Sequence, residues 1–214
     1  MIISLENFIP LPLTGISREK SGFWESGGVV LESPGSYLLT APSGKGKTSL
    51  LSMICGVRND YRGSILIDGS DIRLLNPLEW SEIRKRRISC IYQGLELFDE
   101  LTALENIQLK NRILDFKTEH EILEMAQSLE MENFLERQTG KLSFGQRQRI
   151  AIIRSLCQPF EFLLADEIFS HLDKKLEGLT FSLISRECIK NRAGLLLTSL
   201  HPLGEFHFEN HFIL

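Results

Sequence analysis

The sequence lacks any hydrophobic run long enough to cross a membrane, since none approaches the roughly 18 apolar residues that a spanning helix needs. Its N-terminus also lacks the basic region followed by an apolar stretch that marks a signal peptide. We therefore expect that any role at a membrane depends on other chains, which supply the part inside the bilayer.

Cysteine is scarce, with 4 residues in a chain of 214. The cysteines are Cys55, Cys90, Cys157 and Cys188. They form no CxxC pair and have no histidine at zinc spacing, which suits a reducing compartment and argues against both a disulfide framework and a structural metal. His207 and His211, with Glu209 between them, imitate a metal triplet, but the alternating pattern around them favours an ordinary strand.

An excess of basic charge is also missing, because 24 Lys and Arg residues face 28 Asp and Glu residues and the net charge is −4. Bulk charge therefore gives no support for a nucleic-acid partner. The one dense basic run, residues 84–87, is explained by a solvated helix face, with a partner or membrane contact as the alternative. An apolar fraction of 43% is ordinary for a packed globular core.

The pattern of apolar residues predicts strands in the first third and the last third of the chain. These strands are residues 2–8, 36–40, 64–68, 162–165 and 195–198. Between about residues 95 and 157 the period becomes helical, with capping boxes opened by Thr102 and Thr118. The sequence therefore predicts one α/β domain over residues 1–214 that is interrupted by an all-helical insertion.

The first segment that carries chemistry follows the second predicted strand and reads APSGKGKT, a P-loop except that Ala41 replaces the first glycine. Gly44 and Gly46 let backbone N–H groups close around phosphate oxygens, Lys47 neutralises the β- and γ-phosphates, and the Thr48 hydroxyl ligates Mg²⁺. A small residue can replace the first glycine if its φ is negative. An accidental turn after a strand is the alternative. The predicted nucleotide-binding residues here are Ser43, Gly44, Lys45, Gly46, Lys47, Thr48 and Ser49.

A second segment, FLLADE at residues 162–167, is an apolar strand that ends in two acids. Burial of the strand leaves both carboxylates at its carboxyl end, where ligands of open α/β sheets collect. Asp166 would hold Mg²⁺ through water, and Glu167 would polarise the attacking water as the general base. A plain strand terminus is the alternative.

A third segment, LSFGQ at residues 142–146, stands at the start of a predicted helix. Ser143 and Gln146 have capping-box spacing, so the serine hydroxyl lies among free backbone N–H groups that could bind an anion. Taken alone, this pattern favours a simple N-cap.

These three segments occur in order with Gln93, Asp173 and His201, and the set resembles the ATP-binding-cassette (ABC) ATPase family over nearly the whole chain. The resemblance implies an α/β fold of the P-loop NTPase class. That fold has a RecA-like core, an antiparallel β subdomain and an inserted α-helical subdomain at about residues 95–157.

The resemblance also implies roles for individual residues. Gln93 is similar to the Q-loop glutamine, which contacts Mg²⁺ and water and couples the site to a membrane partner. Asp173 is similar to the D-loop aspartate and His201 to the switch histidine. The signature residues Ser143, Gly145 and Gln146 would bind ATP held by the opposite protomer. The implied catalytic residues are Glu167, His201 and Gln93, and the implied Mg²⁺ residues are Thr48, Gln93 and Asp166.

The chain departs from the family pattern at several positions. Phe144 stands where the signature usually has glycine, and Ile168 and Phe169 replace a proline and a small polar residue. Two residues, Ser199 and Leu200, separate Thr198 from His201, where the family more often has the histidine close behind the strand. No aromatic residue lies near Pro12, where the adenine-stacking residue is expected. The remaining candidates for that role are Phe8, Phe23 and Trp24.

The resemblance implies a subunit that binds ATP and Mg²⁺, hydrolyses ATP and drives integral membrane permease subunits through ATP-dependent pairing, as a homodimer or a paired cassette. It implies a cytoplasmic protein, peripheral on the inner face of the cell membrane, without a nucleic-acid partner. The stretch LFDELTALENIQL is most similar to cassettes of lipoprotein release, cell division and macrolide export, with importer and other exporter cassettes as alternatives. Two further hypotheses are an ATP-switched scaffold with little hydrolysis and a soluble, non-transport ABC protein.

Overall fold

The computed structural model describes residues 1–11 and 28–214. The strands in these residues are β1 (Ile2–Pro10), β2 (Gly28–Glu32), β3 (Ser36–Thr40), β4 (Tyr61–Ile67), β5 (Ser70–Asp71), β6 (Ile88–Ile91), β7 (Phe162–Asp166), β8 (Gly194–Ser199) and β9 (Asn210–Ile213). The α-helices are α1 (Lys47–Ile54), α2 (Pro77–Arg86), α3 (Ala103–Asn111), α4 (Glu119–Ser128), α5 (Phe144–Leu156) and α6 (Lys174–Asn191). None of these helices combines the length and the apolar character that crossing a membrane requires.

The strands form two sheets of different kinds. The first is antiparallel, in the order β2-β1-β4-β5. The second is parallel, in the order β6-β7-β8-β3-β9, so strands that are distant in sequence become neighbours. This mixed α/β arrangement confirms the predicted fold class.

The parallel sheet is buried on both faces, which explains the uninterrupted apolar runs at β7 and β8. Along β7, Phe162 and Leu164 point into a core shared with the antiparallel sheet and α1. Leu163 and Ala165 point into a second core shared with α3, α4, α5 and α6. Alternate side chains of a strand face opposite sides, so a single run of apolar residues serves both cores.

The regular elements between β6 and β7 are all helical, apart from one isolated bridge between Thr102 and Gln138. Thr102, Thr118 and Ser143 each cap the following helix with a complete capping box, in which serine or threonine and a glutamate or glutamine satisfy each other's backbone N–H groups. Helix α5 packs on α3, α4 and β6. Ser143 and Phe144 at its start are exposed. The capping boxes read from the sequence are therefore confirmed.

Five of these strands and α-helices escaped the sequence interpretation: β2, β5, β6, α2 and α6. Helix α2 opens with a capping box formed by Asn76 and Glu79 and has proline in its first turn. It buries only Ile83 along its length, so it shows almost no apolar periodicity. The basic run lies at its end, where residues 85–87 pair with acids, as in the contact of Arg87 with Glu161 at 2.7 Å, and Arg84 donates to backbone carbonyl oxygens.

The expectation of unpaired cysteines is wrong for Cys55 and Cys90, which form a disulfide between the end of α1 and β6. The pair is separated by 35 residues in sequence, and only the folding of both elements into one core brings it together. Cys157 and Cys188 are free and buried, and burial raises the pKa of each thiol to about 12.

Candidate active site

The P-loop connects β3 to α1 at the carboxyl edge of the parallel sheet. Gly44 and Gly46 have φ angles of 79° and 95°, in the left-handed region that glycine adopts without steric cost. A Cβ atom at Gly44 would meet nothing within 4 Å, so its backbone angle and not crowding is what favours glycine. Ala41 is not among the described non-glycine residues with positive φ, which explains why alanine is tolerated there.

Lys47 is the first residue of α1 and is only 4% exposed. Its Nζ donates to the carbonyl oxygens of Ala41 at 2.6 Å and Pro42 at 3.2 Å. The same atom lies 3.1 Å from Oε1 of Glu167. The lysine charge is thereby held inside the curve of the P-loop, beside the predicted general base.

Asp166 ends β7, and each of its carboxylate oxygens accepts a hydrogen bond from a threonine. The Thr48 hydroxyl donates to Oδ2 at 2.7 Å, and the Thr198 hydroxyl donates to Oδ1 at 2.6 Å. Asp166 is only 1% exposed, and these two bonds give each of its buried oxygens a partner. The sequence interpretation gave Thr198 no role, although it is the polar residue that directly follows the three leucines of β8.

Gln93 follows β6 and reaches the same place from the other side. Its Nε2 donates to Oε2 of Glu167 at 3.4 Å, a long bond from an exposed glutamine to a half-buried glutamate. The sheet edge therefore brings together Gln93, Lys47, Thr48, Asp166 and Glu167. The strands β6, β7 and β3 belong to one parallel sheet, in which β8 lies between β7 and β3, so their carboxyl ends lie along the same edge, as expected for ligand sites of open α/β sheets.

The signature residues lie at the start of α5 and not at this edge. The Ser143 hydroxyl accepts from the backbone N–H of Gln146 at 3.3 Å, which leaves its own hydrogen free to be donated elsewhere. A Cβ atom at Gly145 would come within 3.3 Å of the His171 carbonyl oxygen. The ring of Phe144 packs on the ring of His171, with centroids 4.3 Å apart.

The other predicted residues have their own positions. Asp173 is the N-cap of α6 and accepts from the backbone N–H of Leu176 at 2.9 Å. His201 is exposed two residues beyond β8. Ser49 accepts from Arg58 at 3.1 Å. The remaining residues of the predicted phosphate-binding segment are the exposed Ser43 and the half-buried Lys45.

Two sequence questions concern other parts of the chain. Of the adenine-stacking candidates, Phe23 and Trp24 lie outside the described residues, and Phe8 is buried against Tyr61 with ring centroids 5.2 Å apart. Within residues 1–11 and 28–214, no three His, Cys, Asp or Glu side chains gather as a metal site. Nε2 of His211 contacts the Thr40 hydroxyl at 2.8 Å.

Comparison with protein families identifies the architecture. A family model described as "ABC transporter" matches residues 31–170, which include the P-loop, Gln93, the signature segment, Asp166 and Glu167. The chain belongs to the ABC transporter family. Asp173 and His201 lie beyond the matched residues.

The curated relatives of this ABC cassette are ATP-binding proteins. It is 37% identical to the molybdate/tungstate import ATP-binding protein WtpC of Pyrococcus horikoshii over 79% of this chain and 47% of the relative, and so spans about half of that protein. It is 34% identical to the thiamine import ATP-binding protein ThiQ of Escherichia coli, over 75% of this chain and 68% of the relative. It is 33% identical to the lipoprotein-releasing system ATP-binding protein LolD 1 of Chlorobium chlorochromatii, over 69% and 62%.

Solved structures give the same result for the fold. The dimeric structure of MJ0796, a bacterial ABC transporter cassette, matches with a TM-score of 0.73 and 25% identity, over 92% of this chain and 87% of that one. A post-hydrolysis state of MJ0796 bound to ADP and Pi matches in fold with a TM-score of 0.76 and 24% identity, over 94% of this chain and 89% of that one.

Two departures of this ABC cassette from its family have a packing explanation. Ile168 and Phe169, which replace a proline and a small polar residue, are both buried in the core shared with the helices. Phe169 packs on Phe206, with ring centroids 5.6 Å apart. The segment after Glu167 is therefore anchored by apolar burial, which leaves the acids of β7 in place.

Proposed function

We propose that this chain binds MgATP and hydrolyses it as the ATP-binding subunit of an ABC transporter complex. The observation that carries the proposal is the assembly of Lys47, Thr48, Asp166 and Glu167 within hydrogen-bond distance at one sheet edge. These four side chains supply a cation for phosphate, oxygen ligands for Mg²⁺ and a general base, which are the groups that phosphoryl transfer needs.

The P-loop is proposed to bind the phosphates of ATP. Backbone N–H groups around Gly44 and Gly46 and the start of α1 would face the anion, since a helix N-terminus carries partial positive charge. Lys47 would exchange its contact with Glu167 for the β- and γ-phosphate oxygens. That exchange frees the Glu167 carboxylate to accept a proton from the attacking water.

The residues present fit Mg²⁺, which prefers oxygen ligands. The Thr48 hydroxyl, the Asp166 carboxylate and the amide oxygen of Gln93 would hold it, the carboxylate through water. The ion would neutralise charge on the phosphates during the reaction. All three side chains converge on the same edge of the sheet as Glu167.

A second copy, or a paired cassette, is proposed to complete each site. Ser143 has a hydroxyl hydrogen free to donate at the exposed start of α5. Ser143, Gly145 and Gln146 would bind the γ-phosphate of ATP held by the partner, with Asp173 and His201 lining the same junction. ATP would then join the two cassettes, and hydrolysis would separate them.

A separate membrane permease is proposed to receive this motion, which would place the chain in the cytoplasm at the inner face of the membrane. A groove of about 430 Å³ begins beside Gln93, with Tyr92 and Glu96 in its wall. Exposed apolar side chains line it, which is typical of interaction sites. They are Val57, Phe98, Leu109 and Ile113. Burial lowers the pKa of Lys110 and of Arg154, two cations in the same groove.

The relatives share the ATP-driven step and not the substrate. Two are named for import and one for lipoprotein release, at identities of 37%, 34% and 33%. We therefore propose the energy-coupling role as the function of this chain, and we assign the choice of substrate to the membrane partner.

The experiment that tests this function uses Glu167→Gln. Removal of a positioned general base costs about 10²- to 10⁴-fold in rate. We expect the variant to bind MgATP normally, to release phosphate that much more slowly and to elute as a dimer with ATP in gel filtration. Glu132→Gln, at an exposed site outside the cluster, is the control and should behave as wild type. Turnover of Glu167→Gln within twofold of wild type would contradict the assignment.

A further inference from the structure

Thr198 occupies a central place in the site, although no motif marks it. It lies in β8 directly beside Asp166 of β7 in the parallel register. Its side chain is fully buried, with 0% exposure. A buried hydroxyl usually needs a partner, and Thr198 has two, both in the segment that carries the acids.

The first partner is the Asp166 carboxylate. The Thr198 hydroxyl donates to Oδ1 at 2.6 Å, while the Thr48 hydroxyl donates to Oδ2 at 2.7 Å. Each hydroxyl therefore donates to a different oxygen of the carboxylate, which fixes the rotation of the Asp166 side chain. The oxygen that faces the P-loop is Oδ2, on the side where Mg²⁺ is proposed to bind.

The second partner is the backbone of Glu167. Its N–H donates to the Thr198 hydroxyl oxygen at 3.2 Å and to the Thr198 carbonyl oxygen at 3.2 Å. Glu167 has a φ of 49°, in the left-handed region that is unfavourable for a residue with a Cβ. Such a conformation persists only when its surroundings hold it, and Thr198 supplies both acceptors.

We infer that Thr198 is a positioning residue for hydrolysis, one hydroxyl that orients the Mg²⁺-associated carboxylate and fixes the backbone of the general base. The inference rests on the proposed ATPase function. Its physical basis is that a hydroxyl donates one hydrogen and accepts at its lone pairs at the same time. Valine has the same shape without either ability, so Thr198→Val removes both bonds of the hydroxyl, while it keeps the packing and the backbone bond from Glu167 to the carbonyl oxygen of residue 198.

The chain offers a matched control in Thr180 of α6. It is also 0% exposed, but its hydroxyl has no hydrogen-bond partner among the described residues. Thr180→Val therefore makes the same chemical change in a buried position that is unconnected to the site. Thr198→Ser, which keeps the hydroxyl, and Thr198→Ala, which removes it at a similar size, form a second matched pair.

The test uses two measurements, one of which does not depend on turnover. Mn²⁺ serves as a paramagnetic substitute for Mg²⁺. Its binding to the protein with saturating ADP is measured by electron paramagnetic resonance, from the loss of the signal of the free ion. Groups that orient metal ligands contribute about 10- to 100-fold to affinity or activity. We expect Thr198→Val and Thr198→Ala to weaken Mn²⁺ binding and to lower kcat by about that factor, with little change in KM for ATP. Thr198→Ser and Thr180→Val should stay close to wild type.

Equal behaviour of Thr198→Val and Thr180→Val in both measurements would overturn the inference, as would equal loss in Thr198→Ser and Thr198→Ala. If Thr198→Val fails to fold, the serine and alanine pair decides the question by itself. Wild-type protein that binds no Mn²⁺ with ADP would overturn the proposed function together with the inference. Normal wild-type binding with no effect of either hydroxyl-free variant overturns the role of Thr198 alone.

Discussion

The carboxyl edge of the parallel sheet and the start of α5 carry the two halves of the proposed site. They differ in how far their functional side chains are buried and find partners within one chain. At the sheet edge Lys47 and Asp166 are 4% and 1% exposed, and both have charged or hydroxyl partners. At the start of α5, Phe144 is 44% exposed, and the hydrogen bonds that the described structure gives Ser143 all lie within the first turn of its own helix.

The difference follows from topology. Parallel strands bring residues together regardless of their distance in sequence, so Thr48 and Asp166 meet although 118 positions separate them. Ser143 follows the helices between β6 and β7 and lies away from that edge, where it caps α5. One half of the site is therefore built by folding, and the other half is proposed to be completed by association.

The largest expected effect breaks the half that folding builds. Lys47→Ala removes the main attraction for the β- and γ-phosphates and should abolish MgATP binding. At a hundredfold excess over the dissociation constant, ATP stabilises wild type by about 2.7 kcal/mol, and this increment should vanish. The melting temperature of each protein is measured with and without MgATP. The shift that MgATP causes in the variant is then compared with the shift in wild type.

Lys85→Ala is the control for Lys47→Ala, because Lys85 is a half-buried lysine in α2 that contacts Glu82 and lies outside the site. It should keep the full ATP-induced shift. An unchanged shift in Lys47→Ala would remove the P-loop assignment.

The second effect breaks the half that is completed by association. Ser143→Arg places a bulky side chain at the exposed start of α5, and loss of a donor to the transferred phosphate costs about 10²- to 10³-fold in rate. Mixed with Lys47→Ala, which is also inactive alone, it should recover part of the activity. In the mixed dimer one site carries both lesions and the other carries neither. The measurement is phosphate release from each protein and from the mixture.

An arrangement in which Ser143 serves its own chain would leave one lesion in each site of the mixed dimer. A direct contradiction of the trans role would be Ser143→Arg protein that stays monomeric with ATP and hydrolyses it at the wild-type rate. The arginine would then block an interface that catalysis does not use.

The sequence predicted the chemistry at the sheet edge because each group there is tied to a local pattern. Glycines beside a lysine, and two acids at the end of an apolar run, keep their meaning in any fold that buries the strand. The position of Thr198 could not be read in this way, because its role exists only when β8 lies beside β7. The disulfide between Cys55 and Cys90 escaped for the same reason.

The fold followed a similar division. Strands with buried faces, such as β3 and β7, were found almost to the residue, since their apolar runs are continuous. Helix α2 was missed because it buries a single side chain and has no apolar face to detect. The contact between Phe144 and His171 was also invisible, because aromatic residues 27 positions apart (171 − 144) carry no periodic signal.

The smallest expected effect concerns the contact between Phe144 and His171, which joins the two halves of the proposed site within one chain. The rings of Phe144 and His171 join the start of α5 to the segment after Glu167, and they lie 4.3 Å apart and tilted by 55°. Aromatic pairs contribute about 0.5–1.5 kcal/mol beyond the burial of area. We expect Phe144→Ala to lower the free energy of unfolding by about that amount, and 1 kcal/mol corresponds to about 2–4 °C in melting temperature at this chain length. A double-mutant cycle with His171→Ala measures the contact itself, because the energy of a direct contact is lost only once.

Phe98→Ala, at a comparably exposed phenylalanine for which the described residues show no ring contact, is the control and should be additive with His171→Ala. If the effects of Phe144→Ala and His171→Ala add within about 0.5 kcal/mol, the two rings are neighbours that contribute no measurable interaction energy between α5 and the segment after Glu167. The start of α5 would then be held to the rest of the chain by the packing of its buried face alone.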